Sequence, residues 1–344
     1  MAFATGVGSM PGDDQRAYDE ALRVVLDQLS DLPHLPEVPG RGATASMTGR
    51  ALAVVAELGA DLQPAGWRLT DAPGIDQRRA RSLLGQDLDA LEERAEGYTG
   101  AFKLQVAGPW TLAATVERPR GDKILADHGA RRELAQALAE GLRDHVRDVR
   151  RRLPGVERLV VQVDEPALAA VLAGRVPTAS GFGRHRVVHP PEASDALGWV
   201  LAAIAGEGAE PWVHSCASGT PLALVRGALR DARSSLAGSS GTTGSGGLSV
   251  DLDQMSAADH EILAEALDAG ESVVLGVLPS TEAEIGEAQV VERVLRWLDM
   301  VGLDPATVGD RLGISAVCGL AGASQGWARR VLEISSRVAA ELTD

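Results

Sequence analysis

The sequence predicts an α/β architecture, most economically a single (β/α)8 TIM barrel, on three observations. Short β-branched or apolar runs alternate with longer amphipathic patterns along the chain, the signature of βα units around a parallel sheet. Eight such runs occur, the number a closed barrel needs. No second set of strands and no dividing linker interrupts them, and 344 residues lie within the roughly 200 to more than 400 that one barrel occupies. Residues 1–344 are therefore read as one barrel domain. A doubly wound open sheet would give the same alternation, because sequence does not reveal closure.

In order, the expected strands are Phe3–Ser9, Gln63–Leu69, Ala101–Ala107, Arg158–Val163, Pro211–Ser215, Leu248–Leu252, Ser272–Leu278 and Ile314–Val317. Amphipathic helices are expected between them at Asp14–Leu29, Asp87–Glu96, Ala130–Arg151, Ser194–Ala205, Ala257–Ala269 and Ala288–Met300. The segment 232–247, ARSSLAGSSGTTGSGG, departs from this rhythm. Rich in Gly, Ser and Thr, it cannot bury a core and reads as a flexible surface loop before the sixth strand, with a mobile lid as the functional alternative.

Composition narrows the chemistry. With 45% hydrophobic and 24% charged residues but only 3% aromatic, the chain has the make-up of a globular protein with an aliphatic core. A net charge of -15 repels phosphate backbones, and six Trp, two Tyr and three Phe leave little for base stacking, so nucleic acid is excluded as a partner class. The N-terminal MAFATGVGSMPGDD lacks the basic and apolar regions of a signal peptide, and no run of about 18 uncharged apolar residues occurs. The expectation is a cytoplasmic protein that does not engage a membrane. In a reducing compartment its two cysteines are buried thiols, metal ligands or catalytic groups rather than a disulfide.

In a barrel, functional groups collect where the strands finish. The strands here end in GVGSMPG, VAGPWT, VQVDEPAL, WVHSC, SVDLD, GVLPS and SAVCGLAG. Both cysteines fall in that set, so a ring containing the fifth and eighth strands brings Cys216 and Cys318 to one mouth. His214 and Cys216 are two residues apart and face one side of the strand. One histidine, two thiolates and a carboxylate are ligand types that hold zinc tetrahedrally, at about 2.0 to 2.3 Å. The carboxylate is expected from the sixth strand, Asp251 first and Asp253 in reserve. Taken singly, each cysteine reads as a small buried hydrophobe and His214 as a hydrogen-bonded core histidine; their combination favours the metal site.

These residues resemble the catalytic barrel of cobalamin-independent methionine synthase, in the superfamily that includes uroporphyrinogen decarboxylase and corrinoid-linked thiol methyltransferases. The matching motifs are Gly8-Ser9 with Pro11, Gly108-Pro109 with Thr111, the run from Gln162 through Asp164, Glu165 and Pro166 to Leu168, then His214-Ser215-Cys216, and finally Cys318-Gly319-Leu320. The resemblance implies a zinc-dependent methyltransferase of methionine biosynthesis, with His214, Cys216, Cys318 and Asp251 as ligands. Asp251 stands where the family has a glutamate one methylene longer. It further implies that Asp164 binds the amino group of homocysteine and that the Gly8-Ser9 loop holds its carboxylate, with Glu165 and Trp110 in the substrate site. A corrinoid-dependent enzyme acting on another thiol, or a non-catalytic zinc- or thiol-binding protein, would keep the same ligands.

The methyl-donor side departs from the family. Its seventh strand carries a histidine proposed as an acid, where this chain reads Gly276-Val277-Leu278-Pro279-Ser280. A family tryptophan that stacks on folate is matched near Thr115, and Trp110 is the nearby aromatic. The second barrel of the family's long enzymes has no counterpart within these residues. Methyltetrahydrofolate needs a stacking surface for its pterin and an acid for its leaving nitrogen. With homocysteine as acceptor and donors at equal concentration, a methylcorrinoid is therefore expected to give faster steady-state turnover than methyltetrahydrofolate with a long glutamate tail; Trp110 for the ring and Glu282 or Glu284 for the acid are the residues that would reverse this order.

Overall fold

In a computed structural model of the chain, residues 2–234 and 246–342 are described. Nine strands occur among them: β1 Phe3–Ala4, β2 Gly59–Gln63, β3 Gly66–Thr70, β4 Gly100–Ala107, β5 Val156–Asp164, β6 Glu210–Ser215, β7 Gly247–Asp251, β8 Ser272–Leu278 and β9 Leu312–Ala316. Seven form one sheet in the order β1-β9-β8-β7-β6-β5-β4, parallel at every pairing. Strand β8 is a nearly continuous apolar run, as expected of a parallel sheet covered by helices, whereas β4 and β5 alternate polar with apolar residues.

The second expected strand, Gln63–Leu69, is a correction. It does not join the sheet but is divided between β2 and β3, an antiparallel hairpin apart from it. Pro64, lacking an N–H, stops the ladder at the turn. The place beside β4 is taken instead by 33–37, which sequence reasoning passed over. Leu35 N donates to Lys103 O (2.9 Å) and Lys103 N to Pro33 O (2.8 Å), while Glu37 N donates to Gly8 O (3.1 Å) and Met10 N to Glu37 O (2.7 Å). This segment thus bonds both β4 and the chain beyond β1. Pro33 and Pro36 disguise it as a loop, yet the donors it uses are those of Leu35 and Glu37.

The first strand is shorter than Phe3–Ser9, with only Ser9 returning to a parallel bridge, with Glu37. The sheet is also irregular between β8 and β9, where the register shifts at Gly276. A Cβ on Gly276 would stand 2.7 Å from both Val250 O and Val317 Cα, so that close backbone approach admits only glycine.

Helices begin where a side chain can take the free amides. Asp14 accepts from Ala17 N before Gln15–Gln28, Asp127 from Ala130 N before His128–Arg152, and Ser256 with Asp259 forms a capping box on Ala257–Asp268. The helix expected at Asp87–Glu96 spans Ile75–Arg94; its polar first turns, DQRRARS, hide an apolar stripe of Ala80, Leu84, Leu88 and Leu91. Pro190–Gly206 and Glu287–Val301 contain the other expected helices, while Met47–Val54, Leu222–Ser234 and Gln325–Glu341 were not anticipated. Of the loop expected at 232–247, residues 235–245 lie outside the described residues; Ala232–Ser234 finish a helix and Gly247 begins β7. Among the described residues no helix is long and apolar enough to cross a membrane.

Most buried apolar residues form one large cluster, and a second, small one contains Phe3, Leu32, Val160, Trp212 and Val274. Outside the sheet, Asp87 ties Ile75–Arg94 to two neighbouring segments. Its carboxylate, fully buried, accepts from the two terminal nitrogens of Arg41 (2.8 and 2.7 Å) and from Arg50 Nη1 (2.6 Å). Removing one partner of a buried charge group leaves the others uncompensated. Asp87→Ala is thus expected to lower unfolding stability by about 3–5 kcal/mol, read from denaturant unfolding, with the metal affinity of the folded fraction unchanged.

Candidate metal centre

The row of residues at the carboxyl end of the sheet is set by register. Asp164 on β5 lies opposite His214 on β6, and His214 lies opposite Ser249 on β7. Cys216 follows β6 directly, and Cys318 follows β9, three strands further along the sheet with β7 and β8 between them. Despite those intervening strands, one ligand atom each of His214, Cys216 and Cys318 lies within 4.8 Å of the others. The sheet therefore curls enough to bring the ends of β6 and β9 together.

Ser9 helps to fix the Cys318 turn. Leu320 N donates to Ser9 O at 2.8 Å, and a Cβ on Gly319 would stand 2.0 Å from Ser9 Oγ. Glycine at 319 is what lets the two loops touch.

The histidine is prepared for a metal. His214 Nδ1 and Ser249 Oγ are 3.0 Å apart; in the tautomer protonated on Nδ1 the ring donates to the hydroxyl and the Nε2 lone pair is free. Nε2 is buried and has no hydrogen-bond partner among the described residues, a costly arrangement unless something accepts that lone pair. The sulfurs carry the same message. Cys318 is held well below the ordinary thiol pKa by a hydrogen bond from Cys216 and by His214 beside it, while the same contact with Cys318, together with burial, pushes Cys216 well above it. Two adjacent thiols resist double ionisation, and a divalent cation removes that resistance. A tetrahedral ion with bonds of about 2.0–2.3 Å needs ligand atoms roughly 3.3–3.8 Å apart, so small shifts within the observed 4.8 Å limit bring one nitrogen and two sulfurs into range. These donors fit zinc.

The expected fourth ligand is not gathered with them. Among the described residues the grouping holds His214, Cys216 and Cys318 but not Asp251. Asp251 Oδ1 accepts from Asp253 N at 3.0 Å, capping the short turn Leu252–Gln254, and burial raises its pKa. The reserve, Asp253, is an exposed partner of Arg293 at 2.5 Å.

The remaining expected site residues divide. Asp164 is buried beside the centre, with Oδ1 accepting from Gln162 Nε2 at 2.8 Å; burial pushes its pKa up to about 7. Glu165 is turned elsewhere: its two oxygens accept from Trp110 N (2.9 Å), Thr111 N (2.8 Å) and Thr111 Oγ1 (2.7 Å), so it caps Pro109–Thr115 and is fully buried. Trp110 is only 1% exposed and donates its indole N–H to Ala193 O at 3.0 Å, which leaves no free ring face for stacking. Gly8 joins the sheet framework through Glu37 N.

Sequence reasoning missed Ser249, although its place two residues before Asp251 on one strand was a usable signal. It also missed Lys103, whose ammonium is fully buried beneath Asp164's strand and donates to Gln162 Oε1 at 3.1 Å.

The chain matches no protein-family profile and no curated protein by sequence. By structure it is similar to a B12-independent methionine synthase from Shewanella sp. W3-18-1, solved in complex with selenomethionine: the two share 16% identity, and the match has a TM-score of 0.60 over 98% of this chain and 97% of that one. A structure described as TcOYE with pHBA aligns over 91% of this chain and 84% of its own at a TM-score of 0.38 and 10% identity, too distant to bear on the site. The chain has the fold of a cobalamin-independent methionine synthase.

Proposed function

We propose that this protein is a zinc-dependent, cobalamin-independent-type methyltransferase that transfers a methyl group to a thiol, homocysteine being the substrate the residues favour, with methionine as product. We also propose that 33–37 serves as the eighth stave of a closed barrel, so that the chain is one catalytic domain. The observation that carries the reading is the convergence of a His214 ring nitrogen and the two cysteine sulfurs, with no carboxylate joining them among the described residues. Catalytic zinc sites keep a position open for substrate, whereas structural ones are closed by four protein ligands.

His214, Cys216 and Cys318 would hold the ion, and Ser249 would keep the imidazole in the tautomer that offers Nε2. Bound there, zinc supplies the acidity a free thiol lacks, since a pKa near 8.5 leaves only about 3% thiolate at pH 7. Asp164 offers a carboxylate for the substrate's ammonium group, and the Gly8-Ser9 turn, in contact with the Cys318 loop, lies where the substrate's carboxylate would be received. The fold similarity at 98% coverage supports the same assignment. The methyl donor, a methylcorrinoid or a methylfolate, is the second small-molecule partner.

Metal analysis and X-ray absorption test the centre. Purified protein is expected to hold about one zinc per chain with two sulfur and one nitrogen ligands, and saturating homocysteine is expected to add a third sulfur. An unchanged sulfur count overturns the substrate assignment, and methyl-transfer assays that stay silent with every donor would favour a zinc- or thiol-binding protein. Cys318→Ser is expected to lose most of the metal affinity with its far-ultraviolet circular dichroism unchanged. Ser249→Ala removes only the tautomer-fixing contact, and competition with a chelator is expected to show zinc held about 10–100-fold more weakly.

A further inference from the structure

We propose that Lys103 is a positioning residue for the amino-acid thiol, acting through Gln162 to keep the Asp164 carboxyl group aimed at the substrate's ammonium group. This rests on the reading of Asp164 given above. Two observations carry it. Lys103, Gln162 and Asp164 are all buried, at 0%, 1% and 7% exposure, and none has a core-packing reason to be polar. Lys103 Nζ donates to Gln162 Oε1 (3.1 Å) and Val7 O (3.1 Å), while Gln162 Nε2 donates to Asp164 Oδ1 (2.8 Å) and Val7 O (2.9 Å).

Hydrogen-bond inventory then fixes the direction of the chain. An ammonium only donates, so the Gln162 atom facing it is the carbonyl oxygen. The amide nitrogen is left with two protons, and its two contacts are Val7 O and Asp164 Oδ1. Asp164 Oδ1 is therefore an acceptor, and a proton on that oxygen would face an N–H. Asp164 Oδ2 makes no hydrogen bond among the described residues, which leaves it available from the mouth. Lys103 also supplies the positive charge that offsets Asp164 and its buried neighbour Glu37. The arrangement is needed only by a ligand that presents a cation to Asp164, so its effect should follow the substrate's amino group and not its sulfur.

Homocysteine and 4-mercaptobutyrate differ only in that amino group. Their binding to the zinc-loaded protein, measured by calorimetry, is the test. Wild type is expected to bind homocysteine more tightly. Lys103→Met should weaken homocysteine about ten-fold while changing 4-mercaptobutyrate less than about two-fold, and Asp164→Asn should show the same selectivity. The double variant should bind homocysteine no worse than Asp164→Asn alone, because the two residues act in series. If Lys103→Met does not fold, Gln162→Met breaks the same chain while keeping the ammonium and carries the same expectation. Equal loss for both thiols would make Lys103 a structural residue, and a loss with Asp164→Asn but none with Lys103→Met would overturn the relay while leaving the reading of Asp164 intact. Wild type that binds the two thiols equally would refute that reading, and the relay with it.

Discussion

Trp212 sets the row on which the candidate site depends. Its indole, fully buried, lies against Phe3 with ring centroids 5.8 Å apart and belongs with Leu32, Val160 and Val274 to the small separate cluster. Gly247 on β7 accommodates it, since a Cβ there would stand 2.6 Å from the indole nitrogen. Its N–H is satisfied by Glu210 at 2.8 Å. Side chains two apart on a strand share a face, so seating Trp212 puts His214 on that same face, one layer nearer the carboxyl end. A slip of one residue would exchange these faces, burying Val213 where the imidazole belongs and unseating the indole. The bulky aromatic therefore makes the register of β6 costly to change, and with it the pairing of His214 to Asp164 and Ser249.

Above that apolar layer the interior is polar, and satisfying it is the second requirement. Lys103 and Gln105 on β4, and Gln162 and Asp164 on β5, alternate with apolar residues that face the helices. Buried polar groups of this kind are tolerated only when their hydrogen bonds are made. Gln105 Nε2 reaches Leu35 O, Gln162 bridges Lys103 to Asp164, and Lys103 reaches Val7 O. Apart from the Gln162–Asp164 contact within β5, these links run to 33–37, the chain just beyond β1 or a neighbouring strand, so the network also draws the two edges of the sheet together. Gln105 Oε1 and both ring nitrogens of His34 are also buried without a partner, but the unpartnered Nε2 of His214 differs from them in lying beside two thiols.

The sequence made the centre more legible than the frame around it. His214 and Cys216 announce themselves by local spacing, and Cys318 by ending a strand in the same way, so their meeting needed only the correct strand order. Lys103 and Gln105 were readable in KLQVA as polar residues alternating with apolar ones, the pattern of a strand with a polar face, but a strand covered by helices is expected to be apolar on both faces. The segment 33–37 was hidden because its prolines resemble loop punctuation, while Gln63–Leu69 has a strand's composition but no partner in the sheet. Glu165 was opaque for a different reason. A carboxylate next to Asp164 in a functional motif looks like a site residue, but adjacent strand residues point to opposite sides, and Glu165 faces the helix Pro109–Thr115, whose amides it caps.

That same alternation separates the two halves of the proposed reaction. On the thiol side the parts stand together: three metal donors, a hydroxyl fixing the imidazole, and a carboxylate oxygen left open to the mouth. On the donor side, Trp110 and Glu282, two of the residues considered for the missing ring and acid, are already engaged, while Glu284 is exposed. Trp110 gives its N–H to Ala193 O and is almost fully buried, and Glu282 accepts from Ser324 N at 2.8 Å, next to the turn that begins the last helix. Freeing either would remove a structural contact, since Trp110 sits within the large core cluster. Activating the thiol needs protein groups fixed around it, whereas a donor already activated by its own chemistry needs only access to the sulfur. We propose a methyl donor that needs no stacking ring on this contrast, the thiol-side groups being gathered while Trp110 is committed to packing.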